Sequence, residues 1–297
     1  MSVEWIAADW GTSHLRVWAM QGEKILDQAE SDKGMGRLSK TAFQSALLDL
    51  IEDWLGGTTT DVVACGMVGA RQGWVEAPYS TVPVAPLSSA PIRVPNTDPR
   101  IRTFVVPGLK QNAPPDVMRG EETQIAGFLA GRQNWDGVLC LPGTHTKWVQ
   151  ISADEVVSFR TFMTGELFEL LRGQSVLRHS VSEGWDDVAF AEAVADTLSK
   201  PEQLAARLFG LRAADLLRGE DPGVGRAHLS GFLIGAELAA TRPYWLGQQI
   251  AIIGAEGIAS VYASALKQQG ALVETVNATQ STLAGLFQAR MLTRQTV

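Results

Sequence analysis

The sequence predicts an α/β protein of two similar domains with a central cleft, and three observations predict it. One pattern occurs twice: Trp5–Met20 and Val138–Ile151 each read as an apolar strand, a Gly-Thr turn and a second alternating strand. The two turns, Gly11-Thr12 and Gly143-Thr144, lie 132 residues apart. Each copy runs on into a third strand-like stretch, Lys24–Glu30 and Glu155–Phe162, so two β-meanders are expected. After each meander, helical periods alternate with short apolar runs, as in sheets covered by crossover helices.

Taken in order, the first meander is followed by a linker carrying Gly34-Met-Gly36. Phe43, Leu47, Leu50, Ile51 and Trp54 then recur at helical spacing, which predicts a helix over 42–55 closed by Gly56-Gly57. Asp61–Val68 reads as a buried strand. Residues 71–100, rich in Pro and Ser, show no period and read as a long functional excursion carrying Trp74 and Tyr79. Arg102–Gly108 is a further strand, Pro114-Pro115 breaks the chain, and Glu121–Arg132 is a helix. The first half is thus expected as βββ-α-β-α-β-α. A boundary near Asn134–Gly137 divides the chain into domains 1–135 and 136–297. The second half repeats the meander over 136–162. Helical patterns follow over 166–177, 188–198, 201–217 and 226–242, then strand 249–254, helix 258–269, strand 272–276 and helix 279–293.

The composition narrows the function classes. The chain has 297 residues, 45% hydrophobic and 19% charged, with a net charge of −7. That balance disfavours nucleic acid as a partner, since no basic stripe is present. An anionic ligand would need a local cation. Cys65 and Cys140 both sit in apolar runs and read as buried thiols. No run approaches ~18 apolar residues and no secretory leader is visible, so no membrane partner and a cytoplasmic location are expected. A homo-oligomer is left open.

Several short segments can carry chemistry. Asp9 ends an apolar strand, and a buried carboxylate needs a partner. A metal held through water would satisfy it; an Asx turn would serve as well. Gly11, Thr12 and Ser13 offer close backbone approach and hydroxyl donors to a phosphate. Gly143, Thr144, His145, Thr146 and Lys147 offer the same in the second copy, with two added side-chain donors. Glu121 and Glu122 begin a helix, where the dipole favours an ionised carboxylate able to accept a hydroxyl proton. They point about 100° apart, and the residues alone do not choose between them. In Gly66–Trp74, three glycines with Arg71 and Trp74 suggest a loop against a ligand, Arg71 gripping a carboxylate. Thr164 is an N-cap candidate, and Glu166 two residues on can reach the cleft. The turn Gly254, Ala255, Glu256 between strand and helix can hold an adenine, or be an ordinary βα turn.

Together these motifs resemble the sugar kinase, heat-shock ATPase and actin superfamily, which implies the actin-like ATPase (ribonuclease H-like) fold. Within it, residues 9–16, 66–79, 118–124, 141–148 and 162–168 resemble the 2-dehydro-3-deoxygalactonokinase family. These segments read Asp-Trp-Gly-Thr-Ser-x-x-Arg, Gly-Met-Val-Gly-x-Arg-Gln-Gly-Trp-x-Glu-Ala-Pro-Tyr, Met-Arg-Gly-Glu-Glu-Thr-Gln, Leu-Pro-Gly-Thr-His-Thr-Lys-Trp and Phe-Met-Thr-Gly-Glu-Leu-Phe. The resemblance implies ATP and Mg²⁺ as cofactors. It also implies phosphorylation of the sugar acid 2-dehydro-3-deoxy-D-galactonate at its 6-hydroxyl, with Glu121 in the place of the catalytic carboxylate and Glu122 as the alternative. Rivals are a kinase for another sugar or sugar acid, an exopolyphosphatase-type phosphatase, and a non-enzymatic actin-like nucleotide switch.

Overall fold

The computed structural model describes residues 3–95 and 98–294. Asn96 and Thr97, inside the 71–100 excursion, lie outside the described residues, as do the extreme ends of the ranges 1–135 and 136–297. The chain opens with β1 (Trp5–Trp10), β2 (Leu15–Gln21), β3 (Lys24–Ser31), α1 (Phe43–Ile51) and β4 (Thr60–Gly66). Short strands β5 (Tyr79–Thr81) and β6 (Ile92–Arg93) occupy the excursion. They precede β7 (Ile101–Val105), β8 (Gly108–Asn112), β9 (Pro115–Met118) and α2 (Glu121–Ala130). The second meander is β10 (Gly137–Leu141), β11 (Thr146–Ser152) and β12 (Glu155–Phe162). It leads into α3 (Thr164–Gln174), α4 (Asp187–Ser199), α5 (Leu204–Arg218), α6 (Pro222–Ala240) and α7 (Arg242–Trp245). The chain closes with β13 (Ile250–Gly254), α8 (Glu256–Gln268), β14 (Val273–Asn277) and α9 (Ala278–Arg294).

The internal repeat is visible in the strand order. One sheet runs β3-β2-β1-β4-β7-β6 and another β12-β11-β10-β13-β14. The first five strands of each follow one sequence of connections. β1 lies antiparallel to β2 and parallel to β4, with β4 parallel to β7. β10 and β14 both lie parallel to β13. The central strands are buried on both faces, which is why β1, β10 and β13 are nearly continuous apolar runs. Asp9 breaks that run near the end of β1.

The chain forms two compact units: Met1–Trp135 with Ile151–Ser158 and Ala278–Val297, and Asp136–Gln150 with Phe159–Asn277. The first segment of the first unit ends at Trp135, and residues 136–297 are divided between the two units. α9 belongs to the first unit because it lies backbone to backbone against α2. A Cβ on Gly127 would fall on the carbonyl of Ser281, and one on Gly285 on the carbonyl of Thr123. Leu283, Leu286 and Ala289 of α9 also cover Trp5, Ala7 and Val63 of the sheet.

Two expectations are corrected in the first unit. No helix longer than a single turn joins β4 to β7 among the described residues, because the Pro- and Ser-rich stretch has no apolar face to offer a helix. Pro114-Pro115 does not merely break the chain; it turns β8 into β9, and β5, β8 and β9 make a third sheet. Trp10, Phe43 and Trp74 close the core beneath the excursion, with Trp74 stacked on Phe43 at 6.3 Å. No helix of the described residues is long and apolar enough to cross a membrane.

Candidate functional site: two Gly-Thr turns

In the first unit the candidates gather at the ends of β1 and β4. Asp9 faces Arg16 across the β1–β2 ladder and forms an ion pair with it. The Gly11–Ser13 turn closes through Gly11 N–H to His14 carbonyl at 3.0 Å, leaving Thr12, Ser13 and His14 exposed. Gly34–Gly36, expected only as a linker, wraps this turn: Met35 N–H donates to Gly11 carbonyl and Gly36 N–H to Thr12 carbonyl. The turn is therefore held from outside by the backbone of Met35 and Gly36.

Gly66 ends β4 beside Asp9, at φ 93°, where an L side chain is strained. A Cβ there would meet the Trp10 carbonyl at 2.7 Å and Asp9 Oδ1 at 3.6 Å. A Cβ on Gly120, just before α2, would lie 3.3 Å from Gly66 Cα. Asp9, Gly66 and the first turn of α2 are thus one contiguous cluster. Glu121 is partly exposed and accepts from Arg119 N–H at 3.0 Å. Glu122 is fully buried and accepts from Gly120 N–H at 2.7 Å and the Thr123 hydroxyl at 2.9 Å. Burial, and then the charge of Glu121, raise its pKa to about 7. Burial also pushes the Cys65 thiol well up, with the carboxylates of Asp9 and Glu122 adding to it, so both flank Cys65.

The loop candidates divide. Arg71 is 81% exposed, its Nε 3.6 Å from Glu76. Trp74 is half-buried and packs its ring on Phe43 and Trp10. Arg119, which sequence reasoning passed over, is buried below Gly69. It donates to the Ala77 carbonyl at 2.7 Å and lies 4.3 Å over the Tyr79 ring.

In the second unit Gly143, Thr144 and His145 are exposed at the turn between β10 and β11. The turn rests on the start of α3: Glu166 N–H donates to the Thr144 carbonyl at 2.9 Å, and His145 Nε2 meets Glu166 Oε2 at 2.6 Å. Thr146 and Lys147, expected at the phosphate, are buried. The β11 alternation turns Thr146 inward, where its hydroxyl pairs with Tyr262 at 3.0 Å. A cavity of about 880 Å³ opens here, bounded by Gly143, Thr144, Thr164–Glu166, Arg226, Gly257, Ile258 and Tyr262. Glu166 therefore belongs with this cavity and the second turn. Gly254 and Glu256 line a smaller recess of about 390 Å³ with Thr275 and Asn277, while Ala255 caps α8. The first turn of α8, one step beyond the expected Gly254–Glu256, is what borders the large cavity.

No group of three or more metal-ligating side chains is found among the described residues. Asp9 alone fits a cation that keeps most of its waters and leans on phosphate oxygens.

Comparison with known proteins decides the family. The sequence profile of 2-keto-3-deoxy-galactonokinase matches residues 9–289, nearly the whole chain. The chain belongs to that family. Both Gly-Thr turns, the start of α2 and α8 all fall within the matched region. The 2-dehydro-3-deoxygalactonokinase of Escherichia coli (strain K12) is 34% identical over 290 residues, 96% of this chain and 97% of the relative. DgoK1 of Rhizobium meliloti (strain 1021), named for the same activity, is 38% identical over 293 residues, 95% of each. A crystal structure of a 2-dehydro-3-deoxygalactonokinase-family protein from Sinorhizobium meliloti superposes with a TM-score of 0.89 at 37% identity, covering 96% of this chain and 97% of that one. An activator of 2-hydroxyisocaproyl-CoA dehydratase from Clostridium difficile shares the fold at 9% identity with a TM-score of 0.55. The galactonokinase-family chain thus has the mixed sheets of the actin-like ATPase and sugar kinase fold.

Proposed function

We propose that this protein is an ATP-dependent kinase that phosphorylates 2-dehydro-3-deoxy-D-galactonate at its 6-hydroxyl. The observation that carries the reading is the division of the family's motifs: one Gly-Thr turn beside a carboxylate cluster, the other beside a cavity sized for a nucleoside. Phosphoryl transfer asks mainly for positioning and charge neutralisation, and the residues supply both. The nucleoside occupies the 880 Å³ cavity, with Gly257 and Ile258 along its wall. The phosphates run over Gly143, Thr144 and His145 at the N-terminus of α3, where backbone N–H groups and the helix dipole favour anions. Gly11, Thr12 and Ser13 add donors for the transferred group. Asp9, ion-paired with Arg16, would hold Mg²⁺, which would supply neutralisation of the phosphate charge. Arg71 holds the acid's carboxylate; its exposed pair with Glu76 is weak enough to yield. Glu121, the less enclosed of the two carboxylates, accepts the proton of the attacking hydroxyl. Glu122 fixes the backbone of Gly120 behind it.

A coupled assay for ADP, run with and without the keto-deoxy acid, tests the proposal. Acid-dependent ADP release is the expected result, with a phosphate ester at C6 by ³¹P coupling. Acid-independent release of inorganic phosphate would place the protein with the phosphatases instead. Asp9→Asn should abolish most turnover while leaving the fold intact, and near wild-type turnover in that variant would remove Asp9 from the metal role.

A further inference from the structure

Glu237 takes no part in the site described so far, yet three other elements converge on it. It lies on α6, 3% exposed, in an otherwise apolar stretch. Trp148 Nε1 of β11 donates to Oε1 at 2.7 Å. The Tyr262 hydroxyl of α8 donates to Oε2 at 2.9 Å, and the Thr164 hydroxyl at the start of α3 donates to the same oxygen. Burial raises the pKa of Glu237 to about 7; above that pH the ionised carboxylate only accepts, and here every contact is a donor. Two of the donors, Thr164 and Tyr262, line the 880 Å³ cavity, whereas Trp148 does not border it. Trp148 directly follows Lys147 on the strand that leaves the second Gly-Thr turn.

We propose that Glu237 is a positioning residue for the nucleotide, locking the first turn of α3, the β11 strand and the α8 wall into the geometry that receives it. The inference rests on the reading of this cavity as the nucleotide site. A carboxylate that only stabilised the fold would lower the melting temperature without favouring one substrate over the other. A carboxylate that sets the cavity acts on nucleotide affinity first, and its effect passes through Trp148 although that ring touches no ligand.

The test compares wild type, Glu237→Gln, Trp148→Phe and the double variant. Binding of a non-hydrolysable ATP analogue is measured by calorimetry at about pH 8, where Glu237 is ionised, alongside kcat and KM for ATP and for the acid. Loss of a charge-assisted hydrogen bond predicts that Glu237→Gln weakens analogue binding and raises KM for ATP by roughly tenfold or more. KM for the acid should stay within about twofold, the signature of one binding site altered rather than the whole enzyme. Trp148→Phe should move the same constants in the same direction by less, and the double variant should be no worse than Glu237→Gln alone. Unchanged analogue affinity in folded Glu237→Gln overturns the inference, as do independent, multiplying effects of the two substitutions. If Glu237→Gln does not fold, Trp148→Phe decides, and wild-type affinity there overturns it. A wild-type protein that binds no analogue overturns the nucleotide reading itself, and that result is seen before any variant is made.

Discussion

Replacing Glu122 by glutamine should flatten the pH dependence of the first unit's stability. The side chain is fully buried, and its pKa rises from the ordinary 4.5 to about 7, from burial first and the Glu121 charge second. A raised folded value means that the folded chain keeps a proton that the unfolded chain releases. The contribution is therefore complete below about pH 4.5 and is lost as pH rises through about 7. At about 1.4 kcal/mol per pKa unit, the loss approaches about 3 kcal/mol by pH 8. Glutamine does not titrate, and its amide can still accept from Gly120 N–H and donate to the Thr123 hydroxyl. The assay is hydrogen exchange of peptides from β1 and β4 in rising urea, at intervals from about pH 5 to about pH 8. Wild type should lose protection over that window and Glu122→Gln should not. Glu237, raised to about 7 by burial, gives the second unit the same sign. Peptides from β10 and β13 should therefore keep their slope in Glu122→Gln and serve as the internal control. Glu4 and Asp98, both lowered by arginine partners, act at lower pH and leave this window undisturbed. An equal loss of protection of β1 and β4 in wild type and Glu122→Gln would refute the reasoning.

Three further outcomes are expected. Glu121→Gln should lower kcat by about 10²-fold or more with substrate binding largely kept, whereas Glu122→Gln should lower it much less; steady-state kinetics in parallel checks the order. Arg71→Ala should raise KM for the sugar acid by roughly tenfold, and a rise confined to KM for ATP would move Arg71 to the nucleotide side. Gly285→Val should destabilise the first unit by about 2 kcal/mol or more, since overpacking has no free space there, and calorimetric unfolding reads it.

Much of the architecture was legible because it was written twice. The Gly-Thr turns at 11 and 143 and the apolar runs around them carry both sheets, and helical periods carried α1, α2, α4 and α8 to within a few residues. The third sheet was not legible, since Tyr79–Thr81 and Gly108–Asn112 are short and mixed, and their pairing is decided at a distance. The placing of α9 was hidden for the same reason: Gly127 and Gly285 look like ordinary helix glycines until the two helices meet. At the site, a motif fixed which residues are near a turn but not which way each faces. Thr146 and Lys147 follow His145 directly, yet packing on both faces of the first part of β11 buries them. Trp74 carried a binding signature, and the sequence did not show that its ring also packs against Phe43 and Trp10. Glu237 had a signal, a lone acid in the apolar stretch Gly231–Ala240, but the sequence does not show that β11, α3 and α8 bring it three donors.

The close crossing of α2 and α9 bears on how the protein is made. Gln124 and Thr282 touch across 158 residues of chain. On a ribosome, α2 emerges long before the helix that seals it, and all of the second unit's strands are synthesised in between. Until then the apolar side of Trp5, Ala7 and Val63 lacks its cover. Domains generally fold as units in order of synthesis; here the unit begun first is completed last. A chaperone or a ribosome-stalled intermediate should therefore find exposed sheet in the first unit while the second is already closed, and the carboxylates at the start of α2 reach their final setting only once α9 is in place.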